Sequence, residues 1–317
     1  MPATEFELIQ RYFQDATRSR PDVLLGIGDD CALLQVPDGQ TLAVSIDTLV
    51  AGQHFADDHE AYALGHKALA VNLSDLAAMG AEPAWVTLAL TLPTPDEAWL
   101  RSFMQGFAEL AAAFGLQLVG GDTTRGPLSI TIQVQGLLPA GMALRRDSAE
   151  PGQRLFVSGT LGGAALALRQ RRSGAVDPGL ALHLDRPQPR VALGRLLRDY
   201  AGAAIDISDG LLADLSHICR ASAVGARIAL DRLPLEPEVK RLAEQGDWQL
   251  PLAGGDDYEL LFTVPPDRVD ALRSACEDAG EPVSEIGEVT GSGQLHVVLP
   301  NGQLMQDLPH GFDHFRV

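Results

Sequence analysis

Ala203-Ala204-Ile205-Asp206-Ile207-Ser208-Asp209-Gly210-Leu211-Leu212 reads as a buried strand that runs into an acidic turn and straight on into a helix. Apolar residues over 203–207 suit the strand, and Leu211, Leu212, Leu215, Ile218 and Cys219 make the apolar stripe of the helix. The same strand-turn-helix outline precedes it, with a strand over 154–158, a glycine turn over 159–163 and a helix over 164–172. A loop at Arg186-Pro187-Gln188-Pro189, a helix over 191–200, a strand over 259–264, a helix over 267–279 and a hairpin at Asn301-Gly302 complete a C-terminal α/β unit. Pro151-Gly152 ends a polar stretch and marks the boundary, which divides the chain into domains 1–148 and 149–317.

The N-terminal half has its own regular elements. Thr4 and Glu7 are spaced as a capping box for a first helix bearing Phe6, Ile9, Tyr12 and Phe13. Over 40–47, Leu42, Val44 and Ile46 alternate with smaller residues in a strand that delivers Asp47 at or near its end. The stretch 62–79 is helical, with Asn72 and Asp75 three apart on one face of an otherwise Ala, Leu and Val surface. Thr94-Pro95-Asp96-Glu97 spells a helix start with Thr94 as cap, and Gly115 a stop. A strand over 116–119 leads into Gly120-Gly121-Asp122, and over 128–135 Leu128, Ile130, Ile132 and Val134 face a core while Ser129, Thr131, Gln133 and Gln135 face elsewhere. The fold class is α/β (α+β) in two domains.

At 317 residues with 46% hydrophobic content the chain can bury a full core. Its 42 acidic against 24 basic residues give a formal charge of -18, which opposes nonspecific binding to nucleic acid or anionic membranes. The first dozen residues carry acids within their apolar pattern and do not spell a signal peptide, and no apolar run approaches the roughly 20 residues of a membrane span. Cys31, Cys219 and Cys276 show no C-x-x-C spacing, which fits structural thiols in a reducing cytoplasm. Of the two lysines, Lys67 and Lys240, neither lies in a glycine-rich loop, so a Walker A motif is absent, as are the protein-kinase signatures and H-E-x-x-H.

What remains is a dispersed set of acidic turns. Gly28-Asp29-Asp30, Ser45-Ile46-Asp47, Gly120-Gly121-Asp122, Asp206-Ile207-Ser208-Asp209-Gly210 and Gly254-Gly255-Asp256-Asp257 follow apolar runs, and Asp75 sits in an alanine-rich helix. Glycine lets backbone approach a ligand, and short carboxylates offer hard oxygens to Mg²⁺. Magnesium accepts one or two carboxylates together with phosphate oxygens, so scattered aspartates fit a multi-metal polyphosphate site better than a closed cage. Bringing two phosphates together for transfer needs that charge neutralisation. Any one such pair is equally a plain turn, and by the residues alone His54 is a loop histidine, Arg146 a solvated linker charge and Phe312 a packing residue.

Gly26-Ile27-Gly28-Asp29-Asp30, Asp47-Thr48-Leu49-Val50 with His54-Phe55, Asn72-Leu73-Ser74-Asp75-Leu76-Ala77-Ala78-Met79-Gly80-Ala81, Gly120-Gly121-Asp122-Thr123, Asp206 to Leu211, Gly254 to Leu260 and the tail Gly311-Phe312-Asp313-His314-Phe315 together resemble the thiamine-monophosphate kinases. That family shares a superfamily with aminoimidazole ribonucleotide synthetase and selenophosphate synthetase. The resemblance implies ATP-dependent phosphorylation of thiamine monophosphate to thiamine diphosphate, and N-terminal domains whose mixed sheets pair in a homodimer into a β-barrel. Carried over by position, it makes Asp30, Ser45, the Ile46 carbonyl, Asp47, Asp75, Asp122, Asp206 and Asp209 the Mg²⁺ ligands. It sets ATP against Gly121, Asp122, Arg146 and Ser208, and thiamine monophosphate against His54, Asp256, Asp257 and Phe312. It calls for no covalent intermediate and no dedicated base. The chain departs from the family pattern where Asp256 replaces a common glutamate and Cys31 a small apolar residue. A sister ligase acting on a ribonucleotide and a noncatalytic cation- or nucleotide-binding protein are the alternative readings.

Overall fold

The computed structural model describes residues 4–312, so the tail positions Asp313, His314 and Phe315 lie outside the described residues. The chain divides into two compact units, one made of Met1–Leu76 with Ala81–Met142, the other of Ala77–Gly80 with Ala143–Val317.

The first unit contains strands β1 (Val23–Leu25), β2 (Leu33–Leu34), β3 (Gln40–Val50), β4 (Glu82–Leu92), β5 (Gln117–Arg125) and β6 (Ser129–Pro139), and helices α1 (Glu5–Tyr12), α2 (Ala61–Ala78) and α3 (Glu97–Ala113). The main sheet has the order β3-β6-β4-β5, antiparallel except for the parallel β4–β5 pair, and β1 and β2 form a separate small ribbon. The capping box of α1 is present, with the Thr4 N–H donating to Glu7 Oε2 at 2.8 Å and the Glu7 N–H to Thr4 Oγ1 at 3.4 Å. Helix α3 begins later than the sequence suggests. Asp96, not Thr94, is its cap, because the Asp96 carboxylate accepts from the N–H groups of both Ala98 and Trp99.

Side-chain alternation in β3 runs opposite to a simple amphipathic strand. Register pairs Ser45 with Val134, Asp47 with Ile132 and Leu49 with Ile130, so the polar residues of β3 share a face with the buried apolar residues of β6. Leu42, Val44 and Ile46 lie on the other face, 41%, 53% and 58% exposed. β3 also continues to Val50, and β5 runs through Gly120-Gly121-Asp122 to Arg125, so Asp47 and Asp122 sit inside strands and not in terminal turns. Gly121 makes this possible. Its φ is +155°, and a Cβ there would collide with the Leu88 carbonyl of the neighbouring β4.

Helix α2 is buried along nearly its whole length and crosses α3 at a pair of glycines. A Cβ on Gly65 would strike the Phe103 carbonyl, and one on Gly106 the Tyr62 carbonyl, so the two backbones touch without intervening side chains. This close crossing presses α2 toward the sheet, where Leu76 packs beside Gly136 of β6. Among the described residues no helix is long and apolar enough to cross a membrane.

The second unit contains β7 (Arg154–Ser158), β8 (Ala204–Asp206), β9 (Gly225–Ala229), β10 (Leu260–Val264), β11 (Val283–Thr290) and β12 (Leu295–Val298), with α4 (Gly163–Arg172), α5 (Pro178–Asp185), α6 (Val191–Leu197), α7 (Leu211–Ser222), α8 (Pro237–Glu244), α9 (Gln249–Ala253) and α10 (Val269–Ala279). Its sheet order is β12-β9-β11-β7-β10-β8, antiparallel apart from β12–β9. Leu155, Val157, Ile205, Leu211, Leu215 and Leu261 form the centre of its core. Helix α7 follows β8 after a short turn, as its apolar stripe predicts.

Gly65→Ala and Gly106→Ala will each cost about 1–3 kcal/mol by forcing the two helices apart. Gly115→Ala, with φ +66° and open space around it, will lose only roughly 1 kcal/mol of conformational preference. Urea midpoints measure this, and an unchanged midpoint for Gly65→Ala removes the crossing as a structural determinant.

Candidate functional site

In the first unit, α2 and β3 bring three of the acidic-motif residues together. The Ser45 hydroxyl donates to Asp75 Oδ2 at 2.5 Å, and the Asp47 N–H donates to Asn72 Oδ1 at 3.1 Å. Asn72 is fixed in turn by its Nδ2 donating to the Ala68 carbonyl one helical turn earlier. Asn72 and Asp75 are thus the polar notch on α2 that receives the polar face of β3. Asp122 stands farther along the sheet. The row Asp47–Ile132–Leu88–Gly121 spans three strand spacings, roughly 14 Å at the usual interstrand distance, and Asp122 is the next residue on β5.

Asp30 lies exposed in the β1–β2 loop, its N–H donating to the Asp29 carboxylate at 2.8 Å. That ribbon is anchored through Val23, Ala32 and Leu34 on Trp85 and Val119. His54 sits in the turn after β3. Its Nδ1 accepts the Val50 N–H at 3.0 Å, which leaves Nε2 to carry the proton of the neutral ring.

In the second unit, the turn after β8 gathers the remaining candidates. The Ile207, Ser208 and Asp209 carbonyls accept the N–H groups of Tyr258 at 2.8 Å, Asp256 at 2.9 Å and Phe312 at 3.1 Å, respectively. The 254–258 turn and the C-terminal tail are therefore both docked on the Asp206–Gly210 turn. Close approach requires the glycines: a Cβ on Gly255 would crowd the Ser208 carbonyl, and one on Gly311 the Asp209 carbonyl. The Phe312 side chain stays 56% exposed. Asp256 adopts φ +69°, and its Oδ1 accepts the Tyr258 hydroxyl at 2.9 Å.

Arg146 meets α7 at its C-terminal end, a helix length from the Asp206–Gly210 turn. Its carbonyl accepts the hydroxyl of Ser222, the last residue of α7, at 2.8 Å. His217 on α7 lies within electrostatic reach of Arg146, Arg220 and Asp209. Burial, aided by the two arginines and opposed by Asp209, lowers its pKa, which keeps the imidazole neutral. Arg220 donates only, so His217 Nδ1, 3.1 Å from Arg220 Nη2, is the acceptor.

Asp214, Arg190 and Glu259 are not singled out as site residues by the sequence patterns, and Asp257, which is, takes an unexpected partner. Asp214 is buried on α7, and its Oδ2 accepts the N–H groups of both Asp209 and Gly210 at 3.1 Å. Burial first, and the charges of Asp206 and Asp209 next, push its carboxyl up to about 8. Glu259 accepts Arg190 Nε at 2.7 Å and Nη2 at 2.5 Å, plus the Ser158 hydroxyl at 2.5 Å, and so pins the loop before α6 to the start of β10. The only sequence signal for the Arg190–Glu259 pair is an acid one residue beyond a predicted turn. Asp257 accepts the Gly162 N–H with both oxygens at 3.0 Å, and burial raises its carboxyl well above the usual range. The glycine turn at 159–163 is accordingly closed by a carboxylate of the protein itself.

Among the described residues no three His, Cys, Asp or Glu side chains form a ready metal cage. Each unit instead offers small groups of hard oxygen donors, Ser45 with Asp75 beside Asp47, and Asp206 with Asp209. That is the donor chemistry of Mg²⁺ held jointly by protein and phosphate.

Residues 28–138 match the family model for AIR synthase related protein, N-terminal domain, and residues 150–300 that for AIR synthase related protein, C-terminal domain. The chain is 50% identical to the thiamine-monophosphate kinase of Escherichia coli strain K12 over 322 aligned positions, covering 99% of each. Its fold superposes on the crystal structure of thiamine-monophosphate kinase from Stenotrophomonas maltophilia K279a with a TM-score of 0.87 at 47% identity, covering 96% of this chain and 99% of that one. It also matches a solved structure of AaThiL complexed with AMPPCP and TMP, with a TM-score of 0.76 at 32% identity over 91% of this chain and 92% of the other. With two matching domains and full-length identity of this order, the chain belongs to the thiamine-monophosphate kinase family.

Proposed function

We propose that this chain transfers the γ-phosphoryl group of ATP to the phosphate of thiamine monophosphate, giving thiamine diphosphate and ADP and completing thiamine diphosphate biosynthesis. A bond forms between an acceptor phosphate oxygen and the γ-phosphorus, and the bond from the γ-phosphorus to the β,γ-bridging oxygen breaks. The observation that carries this reading is the Asp206–Gly210 turn, on which the 254–258 turn and the Phe312 backbone both dock. Full-length likeness to a thiamine-monophosphate kinase, and the AMPPCP and TMP held by AaThiL, support the same two reactants.

The chemistry asks little of an acid or base. A phosphate monoester has its second pKa near 6, so at neutral pH the acceptor is already largely deprotonated. The difficulty is repulsion between two anions beside an acidic protein. Asp30, Ser45, the Ile46 carbonyl, Asp47, Asp75 and Asp122 of the first unit, with Asp206 and Asp209 of the second, would hold Mg²⁺, which when bound offsets phosphate charge and polarises the transferring group. Gly121, Asp122, Arg146 and Ser208 bind ATP, Arg146 by its guanidinium on phosphate oxygens. His54, the Asp256-Asp257 turn and Phe312 bind thiamine monophosphate, the exposed Phe312 ring packing against the thiamine. The free thiols of Cys31, Cys219 and Cys276 favour a cytoplasmic setting.

A homodimer is part of the same reading. β3 is an edge strand whose outward Leu42, Val44 and Ile46 form an apolar stripe, a surface that pairing of two N-terminal sheets into a barrel would cover.

Incubation with Mg²⁺, ATP and thiamine monophosphate will yield thiamine diphosphate and ADP in equal amounts by chromatography, and EDTA will stop the reaction. ADP released without an acceptor product sinks the assignment. Asp75→Asn will lower kcat by about 100-fold or more while the fold is kept, because it removes an anionic ligand from the Mg²⁺ that would offset phosphate charge. Full turnover by that variant strikes Asp75 from the ligand set. Val44→Lys combined with Ile46→Lys will convert the dimer to monomer in sedimentation velocity, and a wild-type chain that runs as a monomer at micromolar concentration refutes the pairing.

A further inference from the structure

The Asp206–Gly210 turn permits a nearly complete hydrogen-bond account. Its Ile207 N–H donates to the Glu259 carbonyl at 2.8 Å, and its Ile207, Ser208 and Asp209 carbonyls accept from Tyr258, Asp256 and Phe312. The Gly210 carbonyl accepts the Asp214 N–H at 3.1 Å. All of these are backbone to backbone, so no side-chain substitution removes them directly. The N–H groups of Asp209 and Gly210 are different. Both point to a single side-chain atom, Asp214 Oδ2, at 3.1 Å each. Gly210 has φ +113°, and a Cβ there would crowd Ala253, so the turn is tight on its other side as well.

We propose that Asp214 is a positioning residue for the phosphoryl-transfer site: by accepting these two N–H bonds from beneath, it fixes the direction in which the Asp209 carboxylate and Ser208 are presented. This rests on the metal role assigned above to Asp206 and Asp209. Asp214 acts as a hydrogen-bond acceptor and not as a ligand. It is 2% exposed on the buried side of α7, while Ser208 and Asp209 remain partly accessible. Two donors converging on one buried oxygen also give the turn a single preferred geometry, since losing the acceptor strands two N–H groups away from water.

Two substitutions isolate that role. Asp214→Asn and Asp214→Leu keep the same number and branching of side-chain heavy atoms and both remove the carboxyl, but only asparagine keeps an oxygen that can accept both N–H groups. Thermal melting with near-ultraviolet circular dichroism verifies that each variant keeps the fold. Mn²⁺ titration of the metal-stripped full chain, read from the free-ion electron paramagnetic resonance signal, measures cation binding without turnover. The Asn variant will bind Mn²⁺ within about 3-fold of wild type, and the Leu variant at least about 10-fold more weakly. In steady-state assays the Leu variant will show the matching rise in Mg²⁺ requirement, which asparagine rescues.

Each contrary outcome is specific. Equal weakening in both variants makes Asp214 a ligand by its charge and overturns the positioning role. Wild-type binding in a folded Leu variant makes it a mere core residue and overturns that role equally. If leucine disrupts the fold, Asp214→Ala is read in the same way. A wild-type chain that binds no Mn²⁺ sinks the metal reading itself, and the positioning role with it, whereas an unaffected Leu variant beside a binding wild type sinks only the positioning role.

Discussion

Holding carboxylates close to one another is the constraint around which this structure is built. In a chain of formal charge -18, each added acid at a shared site is opposed by those already there, and burial makes the opposition worse. The second unit shows the effect twice, at Asp214 beside Asp206 and Asp209 and at Asp257 beside Asp256 and Glu259. Backbone N–H groups supply most of the compensation. Asp209, Gly210 and Gly162 all donate to buried carboxylate oxygens, and one guanidinium, Arg190, is committed to Glu259. Backbone dipoles suit this task because they are fixed in place and bring no counterion that would compete with a bound phosphate.

Glycine content follows from the same constraint. Donors can converge on a carboxylate only where segments approach to backbone distance: a Cβ on Gly159 would strike the Glu259 carboxylate, and one on Gly255, Gly311 or Gly210 the neighbouring backbone. The conformational entropy that glycine adds to the unfolded chain is therefore a cost of assembling the site. At Gly65 and Gly106 the same device serves packing instead, bringing α2 close to α3 and so setting the height at which Asn72 and Asp75 meet β3.

Much of this is legible in the amino-acid sequence alone. The run from Ala203 to Leu212 announces strand, turn and helix, and β8 and α7 occupy those places. Asn72 and Asp75 stand out as polar residues on an apolar helix, and the structure gives them Asp47 and Ser45 as neighbours. The features that sequence patterns miss have identifiable causes. Asp214 follows a helix start at a spacing that suits a solvent-facing acid, and only the curl of the preceding turn brings its oxygen under Asp209 and Gly210. Glu259 and Arg190 are 69 positions apart, so their pairing is a fact of the tertiary fold. Gly120-Gly121-Asp122 looks like a turn by composition, yet strand pairing with β4 overrides that preference and keeps it extended.

The inverted alternation of β3 ties these threads together. A strand with leucine, valine and isoleucine at alternate positions is expected to bury that face, but here the opposite face meets the helices because Ser45 and Asp47 have partners on α2. Were register to slip by one residue, Ile46 would face Asn72 and Asp75, leaving their polar groups without Ser45 and Asp47. The apolar residues are left outward, so the strand that presents acidic groups on one side presents an exposed apolar stripe on the other. Displacing β3 from one side alters the other through the backbone alone, with a single peptide bond between Ile46 and Asp47.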